Sequence, residues 1–195
     1  DLFENFFIRI LRGSGLNGLI SLDRKSKNKN INLIRPLLNF SKKDLILISN
    51  SIFGTYIKDP SNEDNKFKRV KVRNFLKQLE NEGLDRNKFL LTIKNLKFAN
   101  ETIKYYVKNN LKENVIIFEK KNFLILKKKF FHQSQEVIFR SFTEVIKLIG
   151  KKYYPSRGKK IDNILELILN KTQFKVTLGG CVIKKVNETV IVSKE

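Results

Sequence analysis

The 195-residue chain contains no methionine, one cysteine (Cys181), one histidine (His132) and three prolines. A single cysteine excludes a disulfide framework and any cysteine-rich zinc site. With one histidine beside it, a structural zinc would need carboxylates to complete its shell. No apolar run approaches the roughly 18 residues that a bilayer-crossing helix needs; the longest clusters, such as Phe6-Phe7-Ile8 and Val115-Ile116-Ile117-Phe118, are core-sized. No signal-peptide pattern opens the sequence, so a cytoplasmic location is expected. A chain without methionine does not begin at its own start codon, and Asp1 falls directly into a helical pattern. The expectation is that these residues are the latter part of a larger protein.

Acidic residues are scarce as well: 19 Asp+Glu stand against 40 Lys+Arg, a formal charge of +21. The apolar share of 41% is enough for a packed core and excludes wholesale disorder. Compositional drift in an AT-rich genome accounts for many scattered lysines. It accounts poorly for arginines, and seven of the nine (Arg9, Arg12, Arg24, Arg35, Arg69, Arg73, Arg86) lie before residue 87. That concentration points to a polyanionic ligand such as nucleic acid.

Leu2, Phe3, Phe6, Phe7, Ile10 and Leu11 recur at helical spacing, and Gly13-Ser14-Gly15 ends that helix. Residues 23–32 read as a polar basic loop, and Pro36 sets an extended entry to Leu37-Leu38. Ser41 and Asp44 form a capping-box pattern, and Asp59-Pro60-Ser61-Asn62 is turn chemistry. The spacing predicts a helix over 67–79 with Val72, Phe75, Leu76 and Leu79 inward, ended by Gly83. A long helix, roughly 86–107, follows Asp85 as cap. Val115–Phe118 and Phe123–Leu126 read as a hairpin, 136–149 as a helix stopped by Gly150, and 161–169 as a helix. Residues 174–178, 181–186 and 189–192 read as strands around Gly179-Gly180. The first 110 residues are thus mostly helical and the rest is small α+β, with a boundary near 80–112.

Asp1 and Glu4 sit one turn apart, a pair able to hold a divalent cation or a cationic substrate group; a solvated helix N-terminus favours acids anyway. Arg12-Gly13-Ser14-Gly15 invites a phosphate-loop reading, yet its glycines follow a helix, where the dipole has the wrong sign for an anion. A plain helix C-cap is the commoner meaning, although the Arg12 guanidinium can still reach a phosphate. Lys66, Arg69, Arg73 and Lys77 recur at intervals of 3, 4 and 4. They make a cationic stripe, expected opposite the apolar face, that Asp59, Asn62 and Asp64 could order. Tyr153-Tyr154 with Arg157, Lys159 and Lys160 suits an RNA-contact loop, where rings stack on bases and cations meet phosphates; anchoring of the loop to a core explains the tyrosines equally well. His132 has no Ser/Asp grouping around it, and Cys181 reads as a packed small residue.

Taken in order, these pieces resemble the tRNA(Ile)-lysidine synthetase family. Asp1-Leu2-Phe3-Glu4-Asn5, then Arg12-Gly13-Ser14-Gly15-Leu16 and Gly18-Leu19, are similar to its D-D-x-x-E-T, R-G-S-G and G-L segments. Ile34-Arg35-Pro36-Leu37-Leu38 is similar to R-P-L-L, and Asp59-Pro60-Ser61-Asn62 with Arg69 and Arg73 to D-P-S-N…R-N-R-I-R. Tyr154-Pro155-Ser156-Arg157-Gly158 and Thr177-Leu178-Gly179-Gly180-Cys181 resemble the C-terminal region of shorter bacterial members. Asn5 replaces the threonine, and the R-N-R-I-R run reads Arg69-Val70-Lys71-Val72-Arg73. The family's S-G-G-x-D-S phosphate loop is not among these residues.

The resemblance implies an α/β protein. Residues 1–80 would form the helical C-terminal part of a doubly wound, ATP-pyrophosphatase-type nucleotide-binding domain. Residues 81–112 would be a helical linker, and 113–195 a small α+β tRNA-binding domain. It implies ATP and Mg²⁺ as cofactors, tRNA(Ile) with a CAU anticodon and free lysine as partners, no membrane, and leaves a homodimer open. The implied reaction adenylates the C2 carbonyl of the wobble cytidine, after which the lysine ε-amine displaces AMP. By the same resemblance Asp1, Glu4 and Arg12 are catalytic and Asp1 holds the metal. Arg12, Gly13, Ser14 and Gly15 bind the nucleotide, and Arg35, Lys66, Arg69, Arg73, Lys77, Arg157, Lys159 and Lys160 bind tRNA. Without the phosphate loop these residues alone are expected to be inactive. Two alternatives stand beside this one: a non-catalytic RNA-binding module, and a tRNA thiolase or amidotransferase-like enzyme, against which the lone Cys181 argues.

Overall fold

The computed structural model describes residues 2–20, 22–28, 31–118, 122–151 and 158–195. They form a mixture of helices and two antiparallel sheets, divided into two compact units, 1–100 and 101–195. No helix among the described residues is long and apolar enough to cross a membrane.

In the first unit, α1 (Leu2–Ile10) packs on α4 (Lys68–Asn81) through Ile8, Val72 and Leu76, with Phe3, Phe7 and Leu84 against them. Four phenylalanines extend this contact. The Phe89 ring lies 5.0 Å from Phe3, 5.1 Å from Phe6 and 5.6 Å from Phe7. Rings at such separations add to simple burial. Phe89 belongs to α5 (Arg86–Asn114), whose start is capped as expected by Asp85, Oδ1 accepting from the N–H groups of Asn87 at 2.6 Å and Lys88 at 3.2 Å. The helix runs seven residues beyond the expected end at 107, because Val107, Asn110 and Asn114 continue its buried face.

Residues 23–32, expected as a loop, instead carry a hairpin. β1 (Lys25–Asn28) and β2 (Ile31–Ile34) pair antiparallel, Lys25 opposite Ile34 and Asn28 opposite Ile31. β1 has no apolar residue and β2 is wholly exposed, so no period-2 burial pattern announces the pair. Arg35 holds it instead, Nη1 donating to the Asp23 carbonyl at 3.1 Å and Ser26 Oγ at 3.0 Å. Pro36 opens a 3₁₀ turn (Pro36–Asn39) rather than an extended entry. Ser41 and Asp44 then close a reciprocal capping box on α3 (Lys42–Phe53), which ends at Gly54 with φ 72°.

The second unit is built on a five-stranded antiparallel sheet. Its order is β3 (Val115–Phe118), β4 (Phe123–Leu126), β7 (Thr189–Lys194), β6 (Cys181–Val186), β5 (Gln173–Leu178). Both expected hairpins are present, Val115 pairing with Leu126 and Leu178 with Cys181. Fully buried positions alternate with more exposed ones along β4 and β7, which sends Leu124, Leu126, Val190 and Val192 to one face. There they meet Phe142, Val145 and Ile146 of α6 (Gln135–Gly150) and Ile161, Ile164 and Ile168 of α7 (Gly158–Asn170). Cys181 is fully buried in this core, Sγ lying 3.4 Å from the Ile146 carbonyl, a packed small residue as its setting suggested.

Gly150 does not stop α6 by taking a left-handed conformation; Lys151 does that, with φ 49°. The glycine is there for space. A Cβ at position 150 would stand 2.1 Å from the Gly179 carbonyl oxygen, so α6 and the β5–β6 turn approach as closely as they do only without a side chain. Gly179 and Gly180 make that turn with φ 65° and 81°, the pattern of a two-residue hairpin. Among the described residues the buried side-chain polar atoms are satisfied: Asn110 Nδ2 donates to Ser141 Oγ at 3.1 Å and to the Phe130 carbonyl at 3.3 Å, and Asn114 Nδ2 donates to Asn110 Oδ1 at 2.9 Å.

Candidate functional site

The first unit contains an open cleft of ≈ 520 Å³ between α1 and the segment 61–73. Among the described residues Arg9, Arg12, Lys68, Arg69 and Arg73 line it, with Glu4 as the carboxylate and Asn5, Ile8, Ser61, Phe67 and Val70 completing the wall. Five cations around one acid, among the described residues, give a positive concavity, the electrostatic form that gathers phosphates. Helix α1 presents Glu4 and Ile8 four residues apart on one face, and Arg12 follows in the turn after the helix. Helix α4 brings Arg69 and Arg73 by the same spacing.

The cationic stripe of α4 is not opposite the apolar face, as the spacing suggested. Val70, Val72 and Leu76 are the buried residues, Phe75 is exposed, and Arg73 is half-buried, its position on the helix lying between Val70 and Leu76. Its charge is tolerated there because it is paired. Nε donates to Glu4 Oε1 at 2.8 Å and Nη2 to Oε2 at 3.3 Å, a two-pronged contact. The hydrogen bond from Arg73 to Glu4 raises the guanidinium pKa further above its ordinary value, against the opposing effect of partial burial. Glu4 is only 13% exposed at its side chain, against 33% for Arg73. Both residues also line a second cleft of ≈ 590 Å³, with Phe3, Leu38, Phe40, Lys77, Glu80 and Arg86. The pair is thus the partition between two concavities.

Asp59 and Asp64 use their carboxylates on nearby backbone. Asp59 Oδ1 accepts from the Ser61 N–H at 2.9 Å, which holds its pKa below the usual carboxylate range. Asp64 Oδ1 accepts from the Lys66 N–H at 2.8 Å. These contacts cap the 3₁₀ turn Pro60–Glu63 and the approach to α4, so they shape one wall of the basic cleft.

Of the residues expected to act, Glu4, Arg12, Arg69 and Arg73 come together in the basic cleft, and Lys77 lines the second one. Arg35 is engaged with the β1–β2 hairpin, and Lys66 is exposed at the approach to α4. Gly13, Ser14 and Gly15 lie outside both linings. Gly13, with φ 65°, closes the end of α1, its N–H donating to the Ile10 carbonyl, while Gly15 precedes the short α2 (Leu16–Leu19). Lys159 and Lys160 are exposed in the first turn of α7, in the second unit. Asp1, Tyr153, Tyr154 and Arg157 lie outside the described residues. Arg9 and Lys68 were missed by the sequence reading. Arg9 is three residues before Arg12, whose N–H donates to the Arg9 carbonyl in the turn that ends α1; Lys68 had no such signal.

Among the described residues no group of three or more His, Cys, Asp or Glu side chains converges to hold a metal ion. Glu4 is committed to Arg73, and nothing in the described donor set fits Mg²⁺. His132 lines a small hollow of ≈ 170 Å³ with Lys128, Lys185 and Glu188, with no nucleophile beside it.

The segment that forms this positive cleft lies within residues 1–80, which match the model of a family described as PP-loop domain. The chain as a whole is similar to the tRNA(Ile)-lysidine synthases. It is 31% identical to that of Wolbachia pipientis wMel, 30% to that of Orientia tsutsugamushi and 31% to that of Rickettsia felis, in each case over 100% of this chain. It spans under half the length of these curated relatives, 46%, 46% and 45% respectively. The resemblance read from scattered motifs thus extends over every residue of the chain.

Proposed function

We propose that this chain serves an ATP-dependent tRNA-modifying ligase that joins lysine to C2 of the wobble cytidine of tRNA(Ile) bearing a CAU anticodon. In that reaction the C2 carbonyl oxygen takes the adenylyl group and pyrophosphate leaves. The lysine ε-amine then attacks C2, expels AMP and loses a proton. The observation that carries the reading is the basic cleft, in the segment matching PP-loop domains, where Glu4, Arg12, Arg69 and Arg73 meet.

The residues of the cleft divide the work by chemistry. Arg9, Arg12, Lys68 and Arg69 suit phosphates, of a nucleotide on one side and of the tRNA backbone on the other. ATP supplies the adenylyl group when bound, and Arg12 would be one of the residues that meet its phosphates. Glu4 acts through Arg73, fixing the guanidinium beside the cleft so that its positive charge needs no reorganisation when charge develops. Residues 1–80 would be the helical part of a doubly wound nucleotide-binding domain, 81–112 a helical linker and 113–195 a tRNA-binding domain in a cytoplasmic enzyme. Arg35, Lys66, Lys77, Arg157, Lys159 and Lys160 would add phosphate contacts. Asp1 remains the proposed metal ligand.

The test is binding of a tRNA(Ile) transcript to the chain as it stands, followed across salt concentration. Arg12→Ala and Arg69→Ala should each weaken binding and lower the salt slope by about 1. ATP should compete with the transcript at the same residues. Binding indifferent to these substitutions, to Glu4→Gln and to ATP would replace this reading by the non-catalytic RNA module. Because the S-G-G-x-D-S loop is not among these residues, labelled lysine should not enter tRNA at full turnover with this chain alone.

A further inference from the structure

The part of α5 within the second unit carries a face that its core does not use. Val107, Asn110 and Asn114 are buried and Leu111 is half-buried, so the inward side of this stretch is well defined. At about 100° per residue, Tyr105, Lys108 and Lys112 fall within about 60° of one another on the opposite side. Tyr105 is 61% exposed and Tyr106, on the flank, 53%. Their rings meet edge to face at 5.6 Å, so each steadies the other while leaving a broad π-face to solvent. Lys104 is held by Glu101 at 2.8 Å, whereas Lys108 and Lys112 make no ion pair with any described residue.

Two exposed tyrosines on a helix gain nothing from hydration of their rings, and neither belongs to the hydrophobic core. Exposed rings beside unpaired cations match the requirements of a nucleic-acid strand. Aromatic faces accept unstacked bases, and ammonium groups one and two turns away meet the phosphates between them. A duplex hides its base faces and offers such rings nothing to stack on. Charge complementarity selects RNA over a protein partner, since the chain carries +21 and the face itself is cationic.

We infer that the outward face of α5 around Tyr105, Tyr106, Lys108 and Lys112 is a docking surface for single-stranded RNA, with unpaired bases stacked on the tyrosines. The inference rests on the reading of the chain as an RNA-acting protein but not on the basic cleft or its chemistry.

The probe is a single-stranded RNA of about 12 nucleotides, within the usual reach of such platforms, compared with the same strand in a duplex. Binding is followed by the fluorescence anisotropy of an end-labelled strand, a readout that does not depend on the tyrosines; quenching of tyrosine fluorescence in the unaltered chain reports the stacking itself. The double substitution Tyr105→Ala, Tyr106→Ala should weaken single-strand binding at least about fivefold, with little change for the duplex. Alanine is the better helix former, so circular dichroism should be unchanged. The double substitution to Phe should restore binding, since stacking needs the ring and not the hydroxyl. Lys108→Ala with Lys112→Ala should lower the salt slope by about 1.4. No single-strand binding by the unaltered chain, or equal binding by the double-alanine form, overturns the inference. If Arg12→Ala and Arg69→Ala weaken tRNA binding while the tyrosine changes do nothing, this inference falls and the cleft reading stands. The opposite pattern removes the cleft reading and keeps the helix face.

Discussion

Apolar side chains in residues 101–195 meet a sheet, whereas many in residues 1–100 meet water. In the second unit two amphipathic helices close over alternating strand positions, and Phe130, Phe142, Leu124 and Leu126 are completely shielded. In the first unit no residue of α3 is buried, and Leu47, Ile52, Phe53 and Ile57 are largely exposed. Its cohesion comes from a small cluster where α1, α4 and the start of α5 bring their phenylalanines together. The candidate site lies in this sparser unit, where charged side chains such as Glu4 and Arg73 take positions that a core would give to apolar ones. A dense core fixes backbone; a sparse one leaves concavities and polar walls for ligands.

The largest effects should come from core truncation, and they should differ between the units. Phe142→Ala removes a fully buried ring from a closed core and should destabilise the second unit by about 3–5 kcal/mol. Leu76→Ala removes a buried side chain that also borders the second cleft, so no sealed cavity remains, and the loss should be nearer about 2 kcal/mol. Hydrogen exchange resolved along the chain measures both, because each unit reports its own opening. Equal losses would break the comparison.

A smaller effect separates close packing from backbone geometry. Gly150→Ala would drive a methyl group into the Gly179 carbonyl, and forcing the helix away should cost about 1–3 kcal/mol. Gly54 in the first unit has φ 72° and nothing within 4 Å of the missing Cβ. Gly54→Ala should therefore cost only the left-handed strain, about 1 kcal/mol. Urea midpoints of the two variants give the ranking, and a larger loss at Gly54 would contradict it.

The same contrast decides what was legible beforehand. In the second unit period and turn chemistry agree. Both hairpins, the Gly179-Gly180 turn and the buried role of Cys181 follow from local patterns that burial reinforces. In the first unit the capping signals at Ser41 and Asp85 were readable because they are local. The β1–β2 hairpin was not, since its strands bury nothing and its clasp is the side chain of Arg35. The site was half legible. Motif spacing selected Glu4, Arg12, Arg69 and Arg73, but the pairing of Glu4 with Arg73 joins residues 69 positions apart. Periodicity along one helix assigned Arg73 wholly to the solvent side because the partner that makes its partial burial tolerable belongs to another helix.

The smallest expected effects concern carboxylates at the edges of each unit. Asp44 in the first unit has its pKa lowered by hydrogen bonds from the Ser41 side chain and backbone. Glu188 in the second has its pKa lowered by its hydrogen bond and charge attraction to Lys128. Both are ionised more readily folded than unfolded, so each contributes stability that is fully present above the unfolded value, about 4, and lost as pH falls through the lower folded value. Asp44→Asn and Glu188→Gln should each lower the melting temperature slightly at neutral pH, and both deficits should close in acid. Salt separates them. The Lys128–Glu188 attraction is an exposed ion pair and should fade in molar salt, while the Ser41–Asp44 box is mainly hydrogen bonding and should persist. Melting curves of the two variants at neutral and acid pH, with and without added salt, make the comparison. A deficit at Asp44 that vanished with salt would mean that the first unit, too, relies on charge attraction at its helix ends rather than on directed hydrogen bonds.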